Sequence, residues 1–88
     1  MTVTVLLPSL LAAQAGGINR FEVDGPTVEA ALQALPVADL LFDHDGALRP
    51  LVNVYVDGDD VRGGDGVATQ LAGGETVRVI AAVAGGSE

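Results

Sequence analysis

Few side chains on this chain are placed to do chemistry. Its single histidine, His44, sits in "DHDG" between Asp43 and Asp45. An imidazole flanked by carboxylates has the donor types of a metal site, but successive residues of an extended loop point in different directions. A solvated loop is the expectation there. The acidic stretch "DGDDVRGGDG" at 57–66 raises the question of calcium. A helix–loop–helix calcium loop opening at Asp57 needs a bidentate acid at its twelfth position, and that position is Ala68. A glycine-rich calcium nonapeptide has to recur, and the pattern occurs once. Asp57-Gly58 reads instead as a turn, and the remaining carboxylates as solvated charge. No serine has a base at a recognisable spacing, and no glycine loop has the dinucleotide or phosphate-loop pattern. With neither cysteine nor lysine, the chain lacks a thiolate nucleophile, a Schiff-base amine and a phosphate-binding lysine. It is not expected to be an enzyme, nor to hold a metal or cofactor of its own.

What remains is glycine. Gly-Gly pairs occur at 16–17, 63–64, 73–74 and 85–86. The first three fall between elements and are accounted for as turns. Gly85-Gly86 follows the last strand-like run, where no turn is needed, and Ser87 and Glu88 come after it. One reading is a frayed polar end. The other is that residues 82–86, extended at about 3.3–3.6 Å each, carry Gly86 roughly 17 Å out from the domain. Lacking Cβ atoms, the glycines could thread a channel that side chains would block, and a terminal glycine carboxylate there can be activated with little steric hindrance.

Length and charge bound what such a tail can be attached to. The chain has 88 residues, so it forms one domain at most and its stability margin is small. Twelve carboxylates against four arginines give a net charge of −8, which argues against nucleic-acid backbones and anionic membranes and suits a basic partner. The opening "MTVTVLLPSLLAAQAGG" imitates a cleavable leader at "AQA", but it has no positive n-region, and Val3 and Val5 alternate with Thr2 and Thr4 as a strand does. No apolar run approaches the roughly 18 residues that span a bilayer. A cytoplasmic protein is expected.

The elements follow from periodicity. "TVTVLLP" predicts a first strand closed by Pro8, and residues 9–17 a connection ending in Gly16-Gly17. "INRFEV" predicts a second strand, with Phe21 and Val23 facing inward, paired to the first as a long-looped hairpin. In "DGPTVEAALQALP", Thr27 is a good N-cap, Glu29 lies in the first turn, and Val28, Ala31, Leu32 and Leu35 form one apolar face before Pro36. "ADLLF" predicts one helical turn. "LVNVYVDGDDVR" predicts a strand, an Asp-Gly turn and a short strand, with Val52, Val54 and Val56 on one side and Asn53 and Tyr55 on the other. One helical turn is expected within 67–71, and "TVRVIAAV" closes as a strand with Val77 and Val79 inward. One amphipathic helix packed across a mixed sheet is the economical arrangement.

These stretches resemble the ThiS/MoaD sulfur-carrier family of ubiquitin-like proteins over the whole chain. The most specific part is "VNVYVDGDDVR" followed by "LAGGETVRVIAAVAGG": a strand, an acidic turn, a glycine-rich connection and a closing strand into Gly-Gly. Within the family, "RPLVNVYVDGDDVR" and "AVAGG" look most like the CysO-type carriers, which supply sulfur for cysteine synthesis. The resemblance implies an α+β, β-grasp fold, with a mixed four- to five-stranded sheet packed on one main helix. The first and last strands would lie parallel at its centre. The domain would span 1–83 and the tail 84–88. It further implies that the carboxylate of Gly86 is adenylated by a ubiquitin-activating-type adenylyltransferase using ATP. Sulfur then displaces AMP to give a thiocarboxylate that a synthase uses. Ala84 and Gly85 would be the slim residues behind it, and Asp57, Asp59 and Asp60 an acidic docking rim beside the outer sheet face. Family members usually end at the second glycine, whereas here Ser87 follows and holds the Gly86 carbonyl in an amide. The chain therefore reads as a pro-form cut between Gly86 and Ser87, the expected protease being a JAMM-type zinc metalloenzyme. Two alternatives stay open: a protein modifier conjugated through Gly86, and a non-covalent β-grasp interaction module.

Overall fold

The computed structural model describes residues 2–81. Five strands form one mixed sheet: β1 (Thr2–Leu6), β2 (Arg20–Asp24), β3 (Val52–Val56), β4 (Asp59–Asp60) and β5 (Thr76–Ala81). Their order is β2-β1-β5-β3-β4. β1 and β5 run parallel at the centre, with Val5 opposite Val77, and every other pairing is antiparallel. A parallel pair needs a crossover connection, and here it contains the helices. This is the β-grasp arrangement, at the upper end of the expected strand count.

Three short helices cover one face of the sheet: α1 (Ser9–Gln14), α2 (Val28–Gln33) and α3 (Ala38–Leu41). α2 starts where Thr27 Oγ1 accepts the Ala30 N–H at 3.2 Å, with Glu29 in the first turn. Val28, Ala31 and Leu32 are fully buried against Val3, Val5, Val54, Val77 and Val79. Inward positions along β1, β3 and β5 thus meet the apolar stripe of one helix. Among the described residues, no helix is long and apolar enough to cross a membrane.

Two local expectations change. Residues 9–17 are more than a connection, because Leu11, Ala12 and Ala15 recur on one side and bury themselves against the core as α1. Their spacing was too short to separate from a loop by periodicity alone. The turn expected within 67–71 lies earlier, as a 3-10 turn at Gly66–Ala68, and another occupies Val61–Gly63. Residues 69–71 are extended instead, because they pair with the start of α2. Val28 N–H donates to Thr69 O at 3.0 Å and Leu71 N–H to Pro26 O at 2.9 Å.

The side chain of Glu75 helps to hold the connection from that segment into β5. Glu75 accepts the N–H groups of Ala72 and Gly73, each at 2.7 Å. The bonds from Ala72 and then Gly73 hold its carboxyl below the usual carboxylate range. A depressed folded value means that the contribution is complete above the unfolded value of about 4.3 and is lost as pH falls through the folded one. A Glu75→Gln variant should therefore unfold at a lower temperature than the parent at neutral pH, with the gap closing in acid. Thermal unfolding across pH checks this.

Candidate functional site

β5 carries the chain from the centre of the sheet toward its C-terminal end, and Ala81, the last described residue, is still paired with Val52. The residues expected to thread, to carry the acyl group and to be cleaved (Ala84, Gly85, Gly86 and Ser87) lie outside the described residues. What the structure defines is the surface at the root of that tail.

The side chains not used by the core form the outer sheet face. On the three central strands the outward positions are Thr2, Thr4 and Leu6, then Thr76, Arg78 and Ile80, then Asn53 and Tyr55. Register brings Arg78 level with Leu6 on one side and Tyr55 on the other, and sets Ile80 opposite Asn53. Tyr55, Asp57, Gly58, Thr76, Arg78 and Ile80 line a shallow open groove. Tyr55 and Asn53 were recognisable as outward from alternation. Arg78 and Ile80 carried the same period-two signal on the last strand, but only the cross-strand register shows that they share one patch with Tyr55.

The three acids of the expected docking rim line two grooves. Asp57 and Gly58 both have positive φ, 50° and 92°, which makes the two-residue turn from β3 to β4. Asp57 also pins the start of β5: its N–H donates to Thr76 O at 2.9 Å and its Oδ1 accepts the Thr76 N–H at 3.0 Å. Asp60 Oδ1 accepts the Arg62 N–H at 2.9 Å and so caps the following 3-10 turn. Asp59 and Asp60 line a second groove with Val56, Val61 and Thr69, and Asp60 stands opposite Tyr55 in the β3–β4 ladder. His44 is exposed on its loop, and Asp43 Oδ1 is taken up by the N–H groups of Asp45 and Ala47.

Arg62 was missed in the sequence because its partners lie far away along the chain. Its guanidinium donates to Pro50 O and Asn53 Oδ1, each at 3.0 Å, and to Arg49 O at 2.8 Å. The planar fork thereby ties the approach to β3, next to Ala81, onto the turn after β4. An ammonium group cannot span these acceptors. Arg62→Lys should therefore lose about 1 kcal/mol of stability despite keeping its charge. Denaturant unfolding measures it, and a midpoint equal to the parent's would contradict the clamp.

A sheet of this order with helices on one face and a bare outer face defines a ubiquitin-like β-grasp protein. The sequence model of the ThiS family matches residues 5–86, and the chain belongs to that family. It is 37% identical to the sulfur carrier protein CysO of Mycobacterium tuberculosis, over 98% of this chain and 100% of that one. The crystal structure of that CysO superposes with a TM-score of 0.82 at 34% identity, covering 92% of this chain and 99% of the other. CysO in the BexX/CysO complex of Amycolatopsis orientalis is similar at TM-score 0.82 and 31% identity, over 96% and 99% of the two chains. Small archaeal modifier protein 1 of Haloferax volcanii is similar at TM-score 0.80 and 26% identity, over 98% and 100%.

Proposed function

We infer that this chain is a sulfur carrier of the CysO kind that works through Gly86. The observation that carries this is a match at 37% identity along essentially the full length of CysO, together with a family match that runs to residue 86, the second glycine of the closing pair. Hydrolysis of the Gly86–Ser87 amide frees the Gly86 carboxylate. One of its oxygens attacks the α-phosphorus of ATP on an adenylyltransferase, and pyrophosphate leaves. A sulfur nucleophile then attacks the acyl carbon and expels AMP, leaving a thiocarboxylate that a sulfur-accepting synthase consumes. Gly85 and Ala84 keep the tail slim behind the reacting carbon, and the outer sheet face seats the partner. Asp59 and the acidic rim supply further contacts. The carrier acts as a co-substrate in the cytoplasm, with no catalytic residue or cofactor of its own, and the ATP is the partner's. A JAMM-type zinc metalloprotease fits the trimming step.

The test is intact mass. After incubation with the protease, ATP, the adenylyltransferase and a sulfide source, the chain should lose everything after Gly86 and then gain the mass difference between sulfur and oxygen. A trimmed chain whose mass stays unchanged would count against the proposal. Likeness to an archaeal modifier supports a second reading, conjugation of Gly86 to lysines on other proteins. That reading requires higher-mass adducts in lysates, and the chain's own lack of lysine excludes lysine-linked chains of the modifier with itself.

A further inference from the structure

β5 lies between β1 and β3, and both neighbours stop being available to it at the level where the tail begins. On the β3 side, Asp57 N–H donates to Thr76 O, so alternate residues back along β3 turn their backbone groups toward β5. These are Tyr55, Asn53 and Leu51, and Arg49 would be next. The register that sets Val52 against Ala81 would set Arg49 against residue 84. Arg49 has no backbone group to offer there. Its N–H donates to Leu41 O at 2.9 Å, and its carbonyl accepts both Val52 N–H at 3.0 Å and the Arg62 guanidinium at 2.8 Å. Further back, Asp43 N–H donates to Ala47 O and Leu48 bridges to Phe42, so this stretch is committed to residues 41–43.

The β1 side ends for a different reason. Thr4 N–H donates to Glu75 O, so Leu6 and then Pro8 are the residues in step to face β5. Pro8 has no N–H, and its carbonyl accepts Ala12 N–H at 2.8 Å at the start of α1. A strand beside free backbone groups is ordinarily invited to go on pairing. Here the groups next in line on both neighbours are absent or already taken.

Arg62 is the side chain that locks this stop on the β3 side. Its guanidinium spans Arg49 O, Pro50 O and Asn53 Oδ1, across the bend that leads into β3. We propose that Arg62 is a positioning residue for the tail. It holds the bend at Arg49–Pro50, ends the β3–β5 ladder at Leu51, and so fixes the point from which Gly86 is presented to the adenylyltransferase. This rests on the carrier role. Without the fork, the bend and the last ladder pair have to be ordered again when the enzyme takes up the tail. Ordering even one backbone residue on binding costs about a tenfold loss of affinity.

The test uses the chain trimmed to Gly86, ATP and the adenylyltransferase of the same organism, well below the unfolding temperature. Pyrophosphate release is followed against carrier concentration. Arg62→Lys should raise KM for the carrier about tenfold and leave kcat alone. The rise should persist at high salt, because the charge is kept and only the fork is lost. Glu75→Gln loosens the opposite end of β5 and should keep the parent's KM, which separates positioning from a general loss of stability. Amide hydrogen exchange on the trimmed parent should run at free-peptide rates at residues 84–86. A parental KM for Arg62→Lys, an equal rise for Glu75→Gln, or protected amides at 84–86 would overturn the proposal and leave the carrier role standing. A rise that disappears at high salt would overturn it as well, by assigning Arg62 to a direct charge contact. If the trimmed parent releases no pyrophosphate, the carrier role fails and the positioning role with it.

Discussion

Trimmed to Gly86, the chain should be converted to the adenylate by its activating enzyme, and with Ser87 still attached it should yield none. The expected difference is all or nothing, because the two forms differ in functional group. In the longer form the Gly86 carbonyl lies in an amide, whose nitrogen lone pair is delocalised into the carbonyl. It has no carboxylate oxygen with which to attack ATP. A Gly86→Ala substitution in the trimmed chain is the complementary case. It keeps the carboxylate but adds a Cβ beside the reacting carbon, where glycine allows close approach. A displacement of about 1 Å at a reacting centre can cost on the order of a hundredfold, and a loss of that order in thiocarboxylate formation is expected. Intact mass after a fixed incubation reads both. Equal product from the longer and trimmed forms would show that the reactive group is not the Gly86 carboxylate.

The largest effect on stability is expected from Gly25→Ala. This glycine joins β2 to the N-terminus of α2, and its reason for being glycine is space. A Cβ built there lies 2.6 Å from the Ala31 nitrogen and 2.9 Å from the Ala31 Cα. Both are helix backbone atoms and cannot rotate away as a side chain could. The helix would have to lift from the sheet, and Val28, Ala31 and Leu32, all fully buried, would lose contact together. Forcing a methyl into a packed site costs roughly 1–3 kcal/mol and occasionally more, and the upper end is expected where the obstacle is backbone. In a domain of this size each kcal/mol lowers the melting temperature by about 4–8 °C. A fall of roughly 10–20 °C in thermal unfolding is therefore expected. Gly16→Ala is a useful comparison, since a Cβ there meets nothing within 4 Å and only its positive φ of 73° is strained. Its loss should be about 1 kcal/mol.

How legible each feature was in the sequence depended on how far apart its parts lie along the chain. Thr27 capping its own helix, the Val28–Ala31–Leu32 stripe and the alternation of Val52 and Val54 all arise from residues within one or two turns of each other. Each was expected and each is present. α1 was hidden because six residues do not show a helical period, and burial against the core adds to the helix propensity of its Leu, Ala and Gln residues. Asp57, Asp59 and Asp60 were neighbours in sequence, so they read as one acidic rim. The left-handed turn at Asp57-Gly58 divides them, giving Asp57 to the β5 groove and the other two to a groove at the edge.

The sequence by itself determined the period of the longer strands, the face of the main helix, the lack of cysteine and lysine, and the glycine pair after the last strand-like run. Those are properties of composition and of near neighbours, which a linear chain displays directly. Only the tertiary structure decided that Arg78 stands level with Leu6 and Tyr55, that Arg62 reaches back to Arg49 and Pro50, and that Gly25 lies against Ala31. Alternation says which side of a strand a residue occupies. Strand order and register, set when the whole core closes, say what stands beside it.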